Sequence, residues 1–248
     1  MELTVLNTGS KGNGYVLQDD NEALIIECGC KYAEAMKAVA HNRRKIVGCL
    51  ISHEHGDHAR YVNEYLNAVI PVATTQGTWD TLQQGSGKIK SPFAPIICRH
   101  RETMTFGNFE VTPFNVHHDA AEPVGFYIYH PNCGSVVFAT DTDRLFDRFE
   151  APEYVMIECN YDTDILMSND KLPQDTKDRI VNSHMSLHHC AEVLRSMDLR
   201  QCLGIVLIHL SDDNSHEQYF VDTIRKATGK MVKAARQGDK IDFRVLPF

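Results

Sequence analysis

The chain has 248 residues, of which 43% are hydrophobic and 23% charged, with a formal net charge of −8. These proportions suit a globular protein large enough to bury a core without staples, and they exclude disorder, collagen and coiled coil. No apolar run approaches the ~18 residues of a membrane span, and the acidic balance argues against a surface that coats itself with nucleic acid.

In chain order, the opening MELTVLNTGSKGNG reads as a strand, Leu3–Asn7, followed by a glycine loop. It lacks the basic and apolar regions of a signal peptide, so the expected location is cytoplasmic. Strands are predicted at Tyr15–Gln18, Ala23–Glu27 and Ile46–Ser52, with helical periodicity at Tyr32–Val39. A helical pattern at Tyr61–Leu66 precedes strands at Val72–Thr75, Phe109–His118, Val124–Tyr129, Ser135–Thr140 and Tyr154–Glu158. Helix Leu187–Met197, strand Gly204–Leu210 and helix Tyr219–Ala227 follow, and Gly229 stands where a helix C-cap is expected. Residues 83–95 and 168–182 are polar and read as exposed loops or, in the second case, a short helix. Several adjacent strands leave no room for a crossover helix. That predicts an α+β chain of two packed mixed sheets with helices outside, in one domain spanning 1–248. The eight cysteines form no CxxC pair and mostly lie in or beside apolar strands, which reads as reduced thiols.

The chemistry begins at Ser52-His53-Glu54-His55-Gly56-Asp57-His58. Three histidines and two carboxylates within six residues are a ligand density that packing alone rarely produces. The run follows an apolar strand and precedes a helical pattern, and a strand-to-helix turn can splay successive side chains around one point. His118, Asp141 and His209 each end a further apolar strand pattern. Four groups of ligand-type residues at the carboxyl ends of four strands can converge on one crevice.

HEHGDH, His118, Asp141 and His209 together resemble the five-motif signature of the metallo-β-lactamase fold family. The resemblance implies a four-layer αββα sandwich with two metals at one edge of the sheets. It places His53, His55 and His118 on one metal, Asp57, His58 and His209 on the other, and Asp141 on both. Of the adjacent His117 and His118, the one touching Asp119 is the expected ligand. His55 stands where the flavodiiron branch carries glutamate, and the secreted β-lactamases use a cysteine where Asp57 and Asp141 complete this set. The 67 residues from Asp141 to His209 leave no room for the inserted domain of the β-CASP nucleases. The segments TGSKGNGYVL, VHHDAAEPVGF, ATDTD, ECNYD, HMS and LIHLSDDNS resemble the YycJ/WalJ-like nuclease branch, which is related to RNase Z. Asp143 and Tyr161 depart from that pattern, standing where glycine and histidine are usual.

The implied activity is hydrolysis of phosphodiester bonds by a hydroxide held between two divalent ions, zinc suiting the histidines and manganese the carboxylates. DNA is the expected substrate and partner, degraded from its ends. Cyclic nucleotides are the alternative substrate, then thioesters or lactones, and a metal-binding protein without turnover is the non-enzymatic reading. Asp57 is expected to orient the hydroxide as well as bind metal. The likeness of HMS to an RNase Z histidine motif implies His184 as proton donor to the leaving group. Ser10, Asn13, Asn160 and Asn214 lie in loops beside the expected crevice and are candidate substrate contacts. Between Arg225 and Arg244 seven basic residues face two acidic ones, a candidate guide for a nucleic-acid backbone or, more simply, a solvated face.

Overall fold

The computed structural model describes residues 1–84, 89–145 and 147–244. The chain opens with strands β1 (Glu2–Asn7), β2 (Gly14–Gln18) and β3 (Ala23–Ile26), then helix α1 (Tyr32–Ala38) and β4 (Ile46–Leu50). Helices α2 (Gly56–Ala59) and α3 (Val62–Asn67) lead to β5 (Val72–Thr74), α4 (Gln76–Gln84) and β6 (Ile96–Ile97). A run of strands follows: β7 (Met104–Phe106), β8 (Phe109–Asn115), β9 (Val124–His130), β10 (Gly134–Ala139) and β11 (Tyr154–Glu158). Helices α5 (Thr163–Ser168), α6 (Gln174–Ser183) and α7 (Leu187–Ser196) precede β12 (Gly204–Ile208), α8 (Glu217–Thr228), β13 (Val232–Ala234) and β14 (Lys240–Asp242).

The strands form two seven-stranded sheets, ordered β14-β1-β2-β3-β4-β5-β6 and β13-β12-β11-β10-β9-β8-β7. Each sheet is antiparallel on one side and parallel on the other, the parallel parts being β3 to β6 and β10 to β13. Burial follows from this placement. Strands β3, β10 and β11 are covered on both faces and are buried along their whole length, as parallel strands with near-continuous apolar sequence must be. Antiparallel β8 keeps a partly solvated face and alternates buried with more exposed residues.

The inner faces of the two sheets enclose one core that includes Leu3, Leu24, Leu50, Phe109, Phe126 and Phe138. A second cluster packs α7 and α8 on the outer face of β10 to β12, and a third packs α1 and α3 on β3 to β5. The result is the expected four-layer metallo-β-lactamase fold with two mixed sheets and helices outside. Among the described residues no helix is long and apolar enough to cross a membrane.

The structure differs from the sequence reading mainly where elements are short or polar. Strands β6, β7, β13 and β14 have two or three residues each, and α4 and α6 are polar helices. The strand predicted through His118 ends at Asn115. Residues 85–88 of the segment 83–95 lie outside the described residues, and 89–95 form no regular element. Gly229 caps α8 in the left-handed conformation, with φ +68°. All eight cysteines are free and buried, and burial pushes the Cys30, Cys98 and Cys133 thiols up to about 12.

Candidate metal centre

The carboxyl ends of β3, β4, β10, β11 and β12 meet at one edge of the two sheets. At β4 the chain leaves the sheet and enters α2 at Gly56, so His53 and His55 precede the helix while Asp57 and His58 occupy its first turn. Three residues at strand ends, Glu27, Asp141 and His209, adopt left-handed backbone conformations with φ of 67°, 45° and 54°. Such conformations cost of order 1–3 kcal/mol each in non-glycine residues. Here they turn the polar side chains off the strand axis and into the cluster. The glycine loop after β1 straps the back of the α2 turn. Asn13 N–H donates to Asp57 O at 2.6 Å, and Gly29 N–H donates to Asn13 O at 2.9 Å. A Cβ at Gly29 would lie 1.7 Å from Asp57 O, so only glycine permits this approach.

The side chains assemble around Asp141, and its two carboxylate oxygens face different partners. Oδ2 lies 3.7 Å from His53 Nε2 and 3.4 Å from His118 Nε2, which is itself 3.1 Å from His55 Nδ1. Oδ1 lies 3.3 Å from His58 Nε2 and 3.6 Å from His209 Nε2. Asp57 Oδ2 completes the second group at 3.3 Å from His58 Nε2 and 3.2 Å from His209 Nε2. An ion bound tetrahedrally through bonds of roughly 2.0–2.1 Å spaces its donors about 3.3–3.4 Å apart. The two groups therefore have the spacing of two ligand sets that share one carboxylate. The donor chemistry agrees. His118 Nδ1–H donates to Ser183 O at 2.8 Å, which leaves the Nε2 lone pair aimed at His55 Nδ1. His53 Nε2 is buried with no hydrogen-bond partner among the described residues, a costly state that a cation would relieve.

Behind these donors stands a layer of groups that set their orientation. Ser52 Oγ is 2.9 Å from His53 Nδ1, and Thr140 Oγ1 donates to Asp141 Oδ1 at 2.8 Å. His58 Nδ1 and Glu27 Oε1, both fully buried, face each other at 3.4 Å without a hydrogen bond among the described residues. Glu158, also fully buried, accepts from Thr142 N–H at 2.9 Å and lies 2.6 Å from His184 Nδ1 and 3.5 Å from His209 Nδ1.

The charge states suit cation binding. Burial keeps His53 and His118 below the ordinary imidazole range, neutral and able to offer a lone pair. Burial opposes ionisation of Asp141 and Asp57, but the histidines beside them outweigh it and hold both carboxyls well below the usual carboxylate range. Burial likewise opposes charge on His58 and His209, and Asp141 with the neighbouring carboxylates overcomes it. The dense set of carboxylates thus favours protons on those two rings, and a divalent ion binding the same atoms would displace any proton there.

The structure thus brings His53, His55, Asp57, His58, His118, Asp141 and His209 into two adjoining groups. His117 faces elsewhere: its Nδ1 lies 2.7 Å from Asp143, whose carboxylate also pairs with Arg144. Tyr161, the other departure from the branch pattern, is buried. His184 sits at the rim, its ring 5.4 Å from that of His118 and stacked 5.5 Å from that of His209. Burial disfavours its charge, but Glu158 reverses this and raises its pKa to about 9.

Of the expected substrate contacts, Ser10 is exposed on the loop beside the crevice. The three asparagines are buried, with their amides engaged inside the protein. Asn13 Nδ2 is 3.3 Å from Asp57 Oδ2 and 3.0 Å from His58 Nε2. Asn160 Nδ2 donates to His209 O at 2.9 Å, and Asn214 Oδ1 accepts from Asn169 Nδ2 at 2.9 Å. Two acids escaped the sequence reading, Glu27 and Glu158. Their signal is present in ALIIE and YVMIE, where a carboxylate ends an apolar strand as Asp141 does. The basic C-terminal stretch is largely neutralised: Arg225, Lys233, Arg236, Lys240 and Arg244 all form ion pairs.

Comparison with known proteins adds family and relatives. Residues 24–209 match the family model of the beta-lactamase superfamily domain. Exodeoxyribonuclease YycJ of Bacillus anthracis is 29% identical over 228 residues, covering 88% of this chain and 85% of the relative. Exodeoxyribonuclease WalJ of Streptococcus pneumoniae is 28% identical, covering 98% of this chain and 93% of the relative. Among solved structures, the metallo-beta-lactamase fold protein YhfI of Bacillus subtilis superposes with a TM-score of 0.73 at 18% identity, covering 97% of this chain and 99% of that one. The short form of human tRNase Z superposes with a TM-score of 0.63 at 15% identity, covering 99% of this chain and 100% of that one. At these identities the two structures share the fold.

Proposed function

The chain belongs to the beta-lactamase superfamily and is a metal-dependent hydrolase, and on that footing we propose that it is a dinuclear phosphodiesterase, an exonuclease acting on DNA. The observation that carries the dinuclear part is the division of Asp141, one oxygen facing His53 and His118 and the other His58 and His209. In this reading His53, His55 and His118 would hold one ion, Asp57, His58 and His209 would hold the other, and Asp141 would belong to both sets. The choice of DNA is supported by the exodeoxyribonuclease names of the two relatives.

Bound there, two divalent ions, zinc in preference to manganese for so histidine-rich a set, would lower the pKa of water to ~7 and neutralise charge building on the phosphoryl oxygens. The chain's own contribution is orientation and a proton. Asp57, held by Asn13, would align the attacking water. Glu158 would fix the ring of His209, whose backbone carbonyl Asn160 holds, and Glu27 would face the ring of His58. His184 is the proposed proton donor to the leaving oxygen: its Nδ1 is engaged by Glu158 at 2.6 Å, and its side chain retains 15% exposure at the rim. Its Nε2 has no hydrogen bond among the described residues. Proton donation of this kind contributes roughly 10²–10⁴-fold. Ser10 remains the candidate for direct phosphate contact, while Asn13 and Asn160 become positioning residues and Asn214 a loop brace.

The test is hydrolysis of end-labelled single- and double-stranded DNA by metal-loaded protein, with cyclic mononucleotides alongside and Asp57→Ala as control. Stepwise shortening that disappears in the control supports the exonuclease. Intact DNA beside cleaved cyclic nucleotides would replace it with a small-substrate phosphodiesterase.

A further inference from the structure

The basic C-terminal stretch is largely ion-paired, and a candidate for holding the phosphates that flank the scissile bond stands closer to the candidate ligands. Arg179 is a cation beside the metal centre with free valence to do so. Arg179, on α6, is 63% exposed, and its Nε donates to Asp119 Oδ2 at 3.1 Å. The other oxygen of the same carboxylate lies 3.3 Å from His118 Nε2. A single carboxylate therefore separates the guanidinium from the candidate ligands.

Arg179 is held more loosely than Arg144, Arg200 and Arg236. Arg200 and Arg236 each spend Nε and a terminal nitrogen on one carboxylate, and Arg144 does the same with Asp143. Arg179 spends Nε alone, and its two terminal nitrogens have no hydrogen-bond partner among the described residues. Asp175 stands one helical turn away, where an i,i+4 pair would form, yet Arg179 turns from it toward Asp119. The position of α6 is fixed by the site as well, since Ser183 O at its end accepts from His118 Nδ1. The outcome is a planar fork with fixed orientation and four unspent N–H groups, the geometry that recognises a phosphate through two parallel hydrogen bonds.

We infer that Arg179, braced by Asp119, binds the phosphate next to the scissile one and so selects polynucleotides over substrates with a single phosphodiester. This inference rests on the proposed phosphodiesterase reading and names its substrate determinant. Asp119 stands between Arg179 and the ligands, so the guanidinium faces the phosphate beside the one that they surround, and a cyclic mononucleotide has no such second phosphate.

The experiment compares wild type, Arg179→Ala and Arg179→Lys as metal-loaded proteins. Affinity for a duplex with phosphorothioate-blocked ends is measured by fluorescence anisotropy across a salt series, and turnover of bis(p-nitrophenyl) phosphate serves as the single-phosphate probe. Arg179→Ala should bind the duplex roughly tenfold or more weakly. The slope of log affinity against log salt should fall by about 0.9, the value for one lost phosphate contact on duplex DNA. Turnover of the small ester should stay within about twofold, because the altered group lies outside the ligand set. Arg179→Lys should restore the salt slope but only part of the affinity, since lysine keeps the charge and loses the fork. Unchanged duplex affinity and slope in Arg179→Ala would overturn the inference while leaving the phosphodiesterase reading intact. Absence of wild-type turnover on both the small ester and the same duplex with unblocked ends would overturn both.

Discussion

Gly29→Ala tests whether the glycine loop is the brace that places Asp57. The added Cβ would lie 1.7 Å from Asp57 O and 2.6 Å from Asn13 N, both backbone atoms that cannot rotate away. Reaching a bare 3.0 Å requires the α2 turn or the loop to retreat by about 1.3 Å. That movement breaks or stretches three hydrogen bonds: Asn13 N–H to Asp57 O, Gly29 N–H to Asn13 O, and Asn13 Nδ2–H to Asp57 Oδ2. At about 0.5–1.5 kcal/mol for each bond, with about 1–3 kcal/mol for overpacking, the expected loss is about 2.5–7.5 kcal/mol. In a chain of this size that lowers Tm by roughly 5–30 °C. Because Asp57 and His58 ride on the displaced turn, metal content should fall as well. Guanidinium denaturation and elemental analysis read the two effects separately. A variant with unchanged midpoint and full metal content would refute the argument that backbone contact at Gly29 sets the geometry of the site.

Gly229→Ala supplies a contrast, since nothing lies within 4 Å of its Cβ but φ is +68°. It should cost only about 1 kcal/mol and leave metal content alone, as denaturation and elemental analysis would show. Glu22 joins two edges of the sandwich, engaging Asn108 through backbone and side-chain N–H groups and lying 3.0 Å from His130 Nε2. Burial opposes its ionisation, but His130 and Asn108 lower its pKa from the usual 4.5. A depressed folded pKa stabilises above pH 4.5 and is lost as pH falls through the folded value. Glu22→Gln should therefore be less stable than wild type by about 1–3 kcal/mol at pH 7, with the difference shrinking below pH 4.5 in denaturation curves. Asn160→Ala removes the brace on His209 and should weaken binding of one ion by about 10–100-fold, seen as one weakened step in metal titration calorimetry. The native protein should react negligibly with a thiol reagent such as dithiobis(nitrobenzoate) and expose eight thiols in denaturant, since all eight cysteines are buried. Rapid native labelling would contradict that burial.

Much of this architecture could be read from residue order because its physics is local. Ala23–Glu27, Ser135–Thr140 and Tyr154–Glu158 announce buried strands by unbroken apolar composition, and His53 to His58 announces a cluster of ligand-type side chains by density. The same reading located His118, Asp141 and His209, because a polar residue closing an apolar strand is visible in one dimension. What tertiary structure alone decided depends on partners far away in the chain. The edge strands β6, β7, β13 and β14 have too few residues for any periodicity, and pairing with a neighbouring strand defines them. Lys240 looks like a free cation until β14 pairs with β1 and brings it 3.0 Å from Glu2. Asn13 and Asn160 look like groups for a substrate until the fold turns their amides toward Asp57, His58 and His209. Glu27 and Glu158 acquire a role only when the two sheets set them behind His58 and His184. A residue type carries its chemistry with it. Whether that chemistry faces a metal, a substrate or another side chain is settled by long-range packing, which also determines the burial that tunes its charge.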